Sequence, residues 1–327
     1  MVHVFIVNPV AGLTDKTEYI RNVLAERDDI QYIVFSTEEA GDEYRIMREV
    51  REIFDDEVVR IYVCGGSGTL SNALNAFDDN DWDHVEIGFF PCGLTNDFLK
   101  NFGLNRGKFE DLNAIIDGKV RMVDFMHSHG DETGEIMHND LLFSSVGITA
   151  QIQELANLLG VLGKMRPTIL YTLCTLLSMP FCKASDYELT IDGVDYSGEY
   201  KLAYVGNSVC MGGGFFPIRK NISCQDGIIN ALLIKNFPML QFFRYIKEFM
   251  HGDLAEKESK TCMVTAGRHV ILKRKDGKPM TINSDGEMHK EDMWDMQVIH
   301  NKLKFIVPRD VEFSHDFDEM HALADTM

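Results

Sequence analysis

The chain has 327 residues, of which 45% are hydrophobic, and this is enough to bury a substantial core in about two domains. Its formal net charge of −19 argues against general nucleic-acid binding, which needs a cationic face, and against broad electrostatic adhesion to anionic lipid. The seven cysteines are scattered without a Cys-x-x-Cys pair, and no signal peptide is recognised. Reduced thiols and a cytoplasmic location are therefore expected.

The first 124 residues alternate between strand-like and helix-like segments. Short apolar runs predict strands, and apolar residues at helical spacing predict helices. The predicted strands cover residues 2–7, 31–35, 60–64 and 85–90, and the predicted helices cover 17–25, 42–54 and 70–77. This order predicts a mostly parallel sheet with helices on both faces. Ligands of such sheets bind at the carboxyl ends of the strands.

Two glycine-centred loops stand at such strand ends. The segment 65–69 (GGSGT) follows one predicted strand, and the segment 91–98 (PCGLTNDF) follows the next. A strand, a glycine turn and a helix together aim backbone N–H groups at an anion, and glycine lets the backbone approach a phosphate closely. One such turn is often only a connection, but two in neighbouring units predict a site for a polyphosphate.

The second part of the chain has a different pattern. Strands are predicted at residues 186–192, 199–205, 227–234, 269–274 and 280–283, with helical insertions at 149–179 and 239–250. Strands without intervening helices predict an antiparallel β-sandwich. The longest apolar stretch, Thr168 to Met179, is shorter than the roughly 20 residues that span a bilayer. No transmembrane segment is therefore expected, and a helix in the core or beside an apolar pocket fits better.

Six segments, in register, resemble motifs of the diacylglycerol kinase-like lipid kinases, a family that includes bacterial diacylglycerol kinases and sphingosine kinases. The two glycine loops resemble its GGDGT and P-x-GT-x-NDF motifs. The other four are Asn8–Gly12 (NP-x-(A/S)G), Gly212–Phe215 (GGG-F), Asp226–Ile229 (DGLL) and Ser284–Glu287 (DGE). The resemblance extends from about residue 3 to about residue 308, which is nearly the whole chain.

The resemblance implies an α/β plus β architecture with two domains. A nucleotide-binding α/β domain is expected at residues 1–124, with 297–308 returning to it through a strand at 302–307. A β-sandwich domain for the lipid substrate is expected at 125–296. The remaining segment, 309–327, is expected to be a loosely attached acidic tail.

The family's activity implies an ATP- and Mg²⁺-dependent kinase that phosphorylates a lipid hydroxyl, most simply that of diacylglycerol or a related lipid. The positions that match its nucleotide-binding residues are Asn8, Gly12, Thr37, Gly65, Gly66, Ser67, Gly68, Thr69, Gly93, Thr95, Asn96 and Asp97. For the last two, capping of the following helix is an equally good interpretation.

The late DGE motif implies that Glu287 takes the proton of the lipid hydroxyl and that Asp285 supports it. Two carboxylates at this spacing can lie close together, which would raise the pKa of one toward the range of a general base. An ordinary hairpin turn is the alternative. The positions that match a second, structural Mg²⁺ site are Ser223, Asp226 and Ile228.

Four positions depart from the family pattern, and one of them is the Asn of its central F-x-N segment, which is missing near residues 142–145. Ser67 stands where an Asp helps to organise the nucleotide metal, Leu94 where Thr or Ser is usual, and Lys100 where Arg is usual. A non-catalytic nucleotide- or lipid-binding sensor of the same fold is therefore an alternative. A soluble-metabolite kinase of the NAD kinase type is another, although the NDF and DGE motifs argue against it.

The expected partner is a lipid at the inner face of the membrane, reached peripherally from the cytoplasm, with no nucleic acid involved. A homodimer is compatible with the sequence, which does not determine the oligomeric state. His127, His129 and His138 are not expected to bind a metal, because residues 130–134 between them have the composition of an exposed turn.

Overall fold

A computed structural model describes residues 1–55, 57–130, 138–160, 167–218, 220–238, 241–250, 252–256 and 260–314. Within these residues the chain divides into two compact units. Unit 1 comprises Met1–Val123 and Asn301–Ser314, and unit 2 comprises Asp124–His300. The turn expected at 131–134 and the end of the tail, 315–327, lie outside the described residues.

Unit 1 alternates strands and helices along the chain. Its elements are β1 (Val2–Val7), α1 (Thr17–Ala25), β2 (Gln31–Ser36), α2 (Asp42–Ile53), β3 (Val59–Gly65), α3 (Ser67–Leu74), β4 (Val85–Pro91) and α4 (Leu112–Ile116), with 3₁₀ helices at Asp81–Asp83 and Asp97–Glu110. The second 3₁₀ helix is interrupted at Gly103, whose backbone is not helical.

The sheet of unit 1 is parallel, and its strands lie in the order β4, β3, β1, β2. Val7 is in register with both Ser36 and Cys64, and Gly65 is in register with Pro91. The four strands therefore end at one edge, which is the edge where the segments beginning at Asn8, Thr37, Gly65 and Pro91 lie. The predicted parallel α/β architecture is confirmed.

Residues 309–314 pack against unit 1, whereas the sequence suggested a loose tail from residue 309. Val311 is fully buried, and the ring of Phe313 stacks on that of Phe102 with centroids 4.4 Å apart. The acidic side chains next to Val311 pair with cations: Asp310 with Lys108, and Glu312 with both Lys119 and Arg121. Apolar residues thus alternate with acidic residues in this segment. The apolar side chains pack against unit 1, and the acidic side chains form ion pairs with its lysine and arginine residues.

Unit 2 consists mainly of strands. Its elements are β5 (Lys119–His129, which begins in unit 1), β6 (His138–Asp140), β7 (Phe143–Gly147), α5 (Ile148–Gly160), α6 (Pro167–Ser178), a 3₁₀ helix (Met179–Phe181), β8 (Ser185–Ile191), β9 (Val194–Asp195), β10 (Gly198–Gly206), β11 (Ile229–Lys235), α7 (Phe242–Met250), α8 (Asp253–Glu256), β12 (Cys262–Gly267), β13 (His269–Arg274), β14 (Met280–Ser284), β15 (Glu287–Glu291) and β16 (Met293–Val307, which ends in unit 1).

The strands of unit 2 pair antiparallel, in the order β15, β14, β7, β10, β8, β13, β16, with β11 and β12 joined to β10. A buried cluster fills the interior between them, and it includes Val146, Leu189, Leu233, Ile282 and Trp294. The predicted antiparallel, sandwich-like domain is confirmed. The sequence prediction missed β15 because its residues, EMHKE, do not alternate between apolar and polar. Its pairing with β14 follows from the turn that connects the two strands.

The described residues of both predicted helical insertions contain helices, α5 and α6 in the first and α7 in the second, while residues 161–166, 239 and 240 lie outside the described residues. Helices α5 and α6 pack together, and the hydroxyl of Tyr171 donates a hydrogen bond to Oε1 of Gln153 at 3.0 Å. Within the described residues, no helix is long and apolar enough to cross a bilayer.

Candidate functional site

The two glycine loops touch each other at the carboxyl edge of the unit 1 sheet. The backbone N–H groups of Cys92 and Gly93 both donate to the carbonyl oxygen of Gly65, at 2.8 and 3.1 Å. A Cβ atom on Gly93 would lie only 2.4 Å from the Cα of Gly66. Only glycine fits at this contact, so the loops form one surface rather than two independent turns.

Ser67 links the loops through its side chain. Its Oγ lies 3.3 Å from Oγ1 of Thr95 and accepts a hydrogen bond from the backbone N–H of Asp97 at 3.2 Å. An aspartate occupies this position in the motif that the sequence resembles. Ser67 therefore supplies a hydroxyl group that ties the loops together, without the negative charge of a carboxylate.

The loop after β1 adds two contacts to this surface. The side-chain amide of Asn8 donates to Oγ1 of Thr69 at 3.0 Å. Gly12 has a φ of 75°, and a Cβ there would lie 2.0 Å from the carbonyl oxygen of Cys92. Thr37, at the end of β2, is buried, and its N–H donates to the carbonyl oxygen of Val7 at 2.9 Å. The candidate positions of unit 1 thus lie at one edge of the sheet.

Asn96 does not cap the helix that follows it, and Asp97 pairs with a lysine of that helix. Asn96 occupies the cap position but makes no capping hydrogen bond, and its amide instead donates to the carbonyl oxygen of Gly93 at 2.8 Å. Its Oδ1 is buried and has no hydrogen-bond partner within the described residues. Asp97 is buried and pairs with Nζ of Lys100 at 2.9 Å. The capping interpretation is therefore wrong for Asn96 and stays a prediction for Asp97.

Gly68, in contrast, faces open space. A Cβ added there meets no atom within 4 Å, although both neighbouring glycines, Gly65 and Gly66, lie against other groups. Gly68 lies in the first turn of α3, where backbone N–H groups lack intrahelical partners and attract anions. The arrangement can receive a phosphate group close to the backbone.

Lys16 is a candidate that the sequence analysis missed. Its Nζ donates to the carbonyl oxygen of Pro91 at 3.3 Å and lies 5.1 Å from the centre of the Phe90 ring. This places a cation at the carboxyl end of β4, where it could attract phosphate oxygens. No sequence pattern indicates this role, because a single lysine in a loop has no diagnostic spacing.

In unit 2, Asp285 and Gly286 form a two-residue hairpin turn between β14 and β15. Both have positive φ, 51° and 99°, as the tight hairpin turn favoured by Asp-Gly requires. The Asp285 carboxylate accepts hydrogen bonds from the backbone N–H groups of Leu141, Leu142 and Phe143, at 2.7, 3.0 and 2.8 Å. Asp285 thus fixes the turn to the segment before β7.

The electrostatic partner of Asp285 differs from the expected one. The pKa of Asp285 is raised to about 7, first by burial and next by the carboxylate of Asp140, which together outweigh the backbone hydrogen bonds that lower it. The sequence spacing pointed to Glu287 as the neighbouring carboxylate. The physical reason for the difference is the turn, which directs the Asp285 side chain toward the segment that follows β6.

Glu287 begins β15, and its carboxylate lies beside two imidazoles. One ligand atom from each of His138, Glu287 and His289 lies within 4.8 Å of the other two. Burial lowers the pKa of His138, but the carboxylates of Asp140, Asp285 and Glu287 outweigh it, so that this pKa is raised. The cluster was not found from the sequence, where His138 was not expected to bind a metal, because His138 is about 150 residues from Glu287 and His289 along the chain.

The three positions proposed for a structural Mg²⁺ lie in one turn before β11. The N–H of Gln225 donates to Oγ of Ser223 at 3.2 Å, and the N–H of Ile228 donates to Oδ1 of Asp226 at 2.9 Å. Burial raises the pKa of Asp226, and the nearby carboxylate of Asp124 raises it further. Asp124, a second residue that the sequence analysis missed, accepts from the N–H of Gly227 at 2.6 Å.

Comparison with known proteins agrees with this architecture. Residues 3–128 match the family model for the diacylglycerol kinase catalytic domain, and residues 143–307 match the model for the YegS C-terminal NAD kinase beta sandwich-like domain. The chain is 26% identical to the diacylglycerol kinase of Bacillus subtilis strain 168 over 293 residues, which cover 86% of this chain and 88% of that protein.

Solved structures of Bacillus anthracis proteins share the fold. One diacylglycerol kinase structure from strain Sterne aligns with a TM-score of 0.65 and 18% identity, covering 93% of this chain and 96% of that one. Another structure from this strain, described as that of a candidate diacylglycerol kinase, aligns with a TM-score of 0.68 and 19% identity over the same shares. On the evidence of its two matched domains, the chain belongs to the diacylglycerol kinase-like family of lipid kinases.

Proposed function

We propose that this protein is an ATP- and Mg²⁺-dependent kinase that phosphorylates the hydroxyl group of a lipid, either diacylglycerol or a related lipid. The observation that carries the proposal is the pair of glycine loops joined at Gly66 and Gly93 on the carboxyl edge of a parallel sheet. Such an edge, with helix N-termini and exposed backbone N–H groups, is where α/β domains bind phosphates. Family membership supports the lipid kinase reading.

Nucleotide binding is assigned to the loops of unit 1. The backbone at Gly68 offers an approach for a phosphate, and the hydroxyls of Thr69 and Thr95 lie on the two joined loops. The buried Oδ1 of Asn96, which lacks a partner among the described residues, is an acceptor for a bound ligand or its water. The remaining positions in this proposal are Asn8, Gly12, Thr37, Gly65, Gly66, Ser67, Gly93 and Asp97.

The role of accepting the proton of the lipid hydroxyl is assigned to Glu287. Phosphoryl transfer depends mainly on positioning and charge neutralisation, with one group accepting the proton of the attacking oxygen. Glu287 is only partly buried and directly follows the hairpin turn that Asp285 fixes through three backbone hydrogen bonds. Asp285 is thus a positioning residue for Glu287, because displacement of the turn would move the base.

Mg²⁺ fits the turn at residues 223–228. Asp226 and Asp124 are carboxylates close enough for Asp124 to raise the pKa of Asp226, and a divalent cation would relieve this repulsion. The proposed ligands are the Asp226 side chain with oxygens of Ser223 and Ile228, a hard oxygen set that suits Mg²⁺. A second Mg²⁺, bound with ATP, would neutralise charge on the phosphates.

An apolar face on α6 supports a lipid acceptor. Ile169, Leu173, Leu176 and Leu177 have helical spacing and expose between 38% and 55% of their surface, and Phe181 just beyond the helix exposes 79%. Apolar side chains clustered on an exposed face are typical of surfaces that contact lipid or protein. We propose that this face contacts the lipid when the protein works peripherally at the inner face of the membrane.

A phosphate-transfer assay tests the proposal. The intact protein is incubated with γ-labelled ATP, Mg²⁺ and, in parallel, diacylglycerol in mixed micelles, a sphingoid base or NAD. We expect label in the organic extract with diacylglycerol or a related lipid, lost when Mg²⁺ is chelated. Label on NAD alone would instead assign a soluble-metabolite kinase.

The departure at Ser67 favours one alternative, a sensor that binds nucleotide or lipid without transferring phosphate.

The variant Ser67→Asp distinguishes an active kinase from such a sensor. For an active kinase, the added carboxylate should strengthen Mg²⁺ dependence and raise turnover severalfold, because Mg²⁺ binds through phosphates plus one or two carboxylates. Loss of the Ser67 hydrogen bonds should cost about 1 kcal/mol of stability, measured by thermal unfolding. ATP binding without phosphate transfer in both forms would support the sensor.

A further inference from the structure

The cluster of His138, Glu287 and His289 in unit 2 has no part in holding Mg²⁺ in the proposed mechanism, yet it has the composition of a transition-metal site. Each side chain offers one ligand atom, and the three atoms lie within 4.8 Å of one another. A tetrahedral metal with bonds of about 2.0–2.2 Å holds its ligands roughly 3.4 Å apart. Small side-chain rotations would bring these three atoms to that spacing.

Two strands present the ligands. Glu287 and His289 are two residues apart on β15, so they project to the same face of that strand. His138 begins β6, and its ring lies edge-on to that of His289 with centroids 5.0 Å apart. Backbone hydrogen bonding in β15 and the hairpin turn fix two of the ligands before any metal binds.

The surrounding contacts orient the imidazoles as a metal site requires. Nδ1 of His138 lies 2.8 Å from Oδ1 of Asp140, whose side chain is fully buried. A carboxylate held against one ring nitrogen is the usual support for a histidine that ligates metal through the other nitrogen. Nε2 of His289 is buried and has no hydrogen-bond partner within the described residues, and a bound cation would satisfy it.

From this geometry we propose that His138, Glu287 and His289 bind a divalent transition metal such as Zn²⁺ through two imidazoles and one carboxylate. Two nitrogen ligands favour metals of the zinc and cobalt kind, whereas Mg²⁺ prefers oxygen. The site is therefore distinct from the Mg²⁺ of the proposed kinase reaction. A metal bound to Glu287 would also occupy the oxygen that accepts the proton, so Zn²⁺ should inhibit that reaction.

The metal-binding proposal does not rest on the kinase function, and its test uses neither ATP nor lipid. Metal-free, tag-free protein is titrated with Co²⁺ while visible absorption is recorded, and with Zn²⁺ by calorimetry. We expect one bound ion per chain, with the intense visible bands of four-coordinate Co²⁺ and no strong near-ultraviolet band from thiolate ligands. An excess of Mg²⁺ should leave the bands unchanged.

Variants assign the ligands. His289→Gln and His138→Gln should each weaken Co²⁺ binding at least tenfold, with His289→Gln as the decisive variant because its side chain is only partly buried. The matched control is His269→Gln, which removes a histidine of unit 2 that pairs with Asp295 at 2.6 Å. Absence of Co²⁺ binding, or equal binding by the wild type and folded His289→Gln, would overturn the site. Zn²⁺ inhibition of kinase activity is a separate measurement, so an inactive kinase would leave the binding result intact.

Discussion

Glu287→Gln should lower the turnover of lipid phosphorylation by about 10²–10⁴-fold, which is the usual contribution of a general base. The substitution keeps the size of the side chain and most of its hydrogen bonding but removes the basic oxygen. Steady-state kinetics with Mg²⁺ as the only divalent cation measure the effect. Nucleotide affinity should change little, because Glu287 is proposed to contact the acceptor rather than ATP.

A second variant, in the hairpin turn before Glu287, tests the same mechanism. Asp285→Asn leaves an amide facing backbone N–H groups, so at least one of the hydrogen bonds from Leu141, Leu142 and Phe143 is lost. A lost bond to a charged group costs about 1.5–3 kcal/mol of stability, visible in thermal unfolding. Turnover should fall less than in Glu287→Gln, since the base remains. Full turnover of folded Glu287→Gln protein would refute the mechanism.

Gly68→Ala should weaken ATP binding by about 10–100-fold while the protein remains folded. The added methyl group enters the open space at the first turn of α3, where a phosphate would approach the backbone. Losing one charge-assisted hydrogen bond costs about 1.5–3 kcal/mol, which corresponds to that change in affinity. Stability should rise by about 0.5–1 kcal/mol, because alanine favours the helix over glycine.

Gly107→Ala is the matched control. Gly107 is also a helical glycine whose added Cβ meets no atom within 4 Å, but it lies in the 3₁₀ helix outside the glycine loops. Its substitution should leave ATP affinity unchanged in calorimetric titration.

Gly93→Ala, unlike these two variants, should destabilise the joined loops, because its Cβ would lie 2.4 Å from the Cα of Gly66. If Gly68→Ala and the wild type bind ATP with equal affinity, the proposal that a phosphate binds at Gly68 is refuted.

Local patterns sufficed to predict much of unit 1. The predicted strands end directly before Asn8, Ser36 and Gly65, so the sequence already placed the loops that begin there at strand ends. Parallel strands in register then bring them to one edge. In unit 2 the same reasoning found β13 and β14 but missed β15, because EMHKE gives no alternating signal. An Asp-Gly turn determined that strand instead.

The sequence by itself determined the alternation of strands and helices in the first part of unit 1, the two glycine loops and the family motifs, because each is encoded within a few neighbouring residues. Only the tertiary structure decided which groups meet. In the folded chain the hydroxyl of Ser67 lies beside that of Thr95, and the ring of His138 lies beside that of His289. The carboxylate that raises the pKa of Asp285 is that of Asp140 rather than that of Glu287. Such contacts depend on strand pairing and turn geometry between residues far apart along the chain, and no local pattern of residues carries that information.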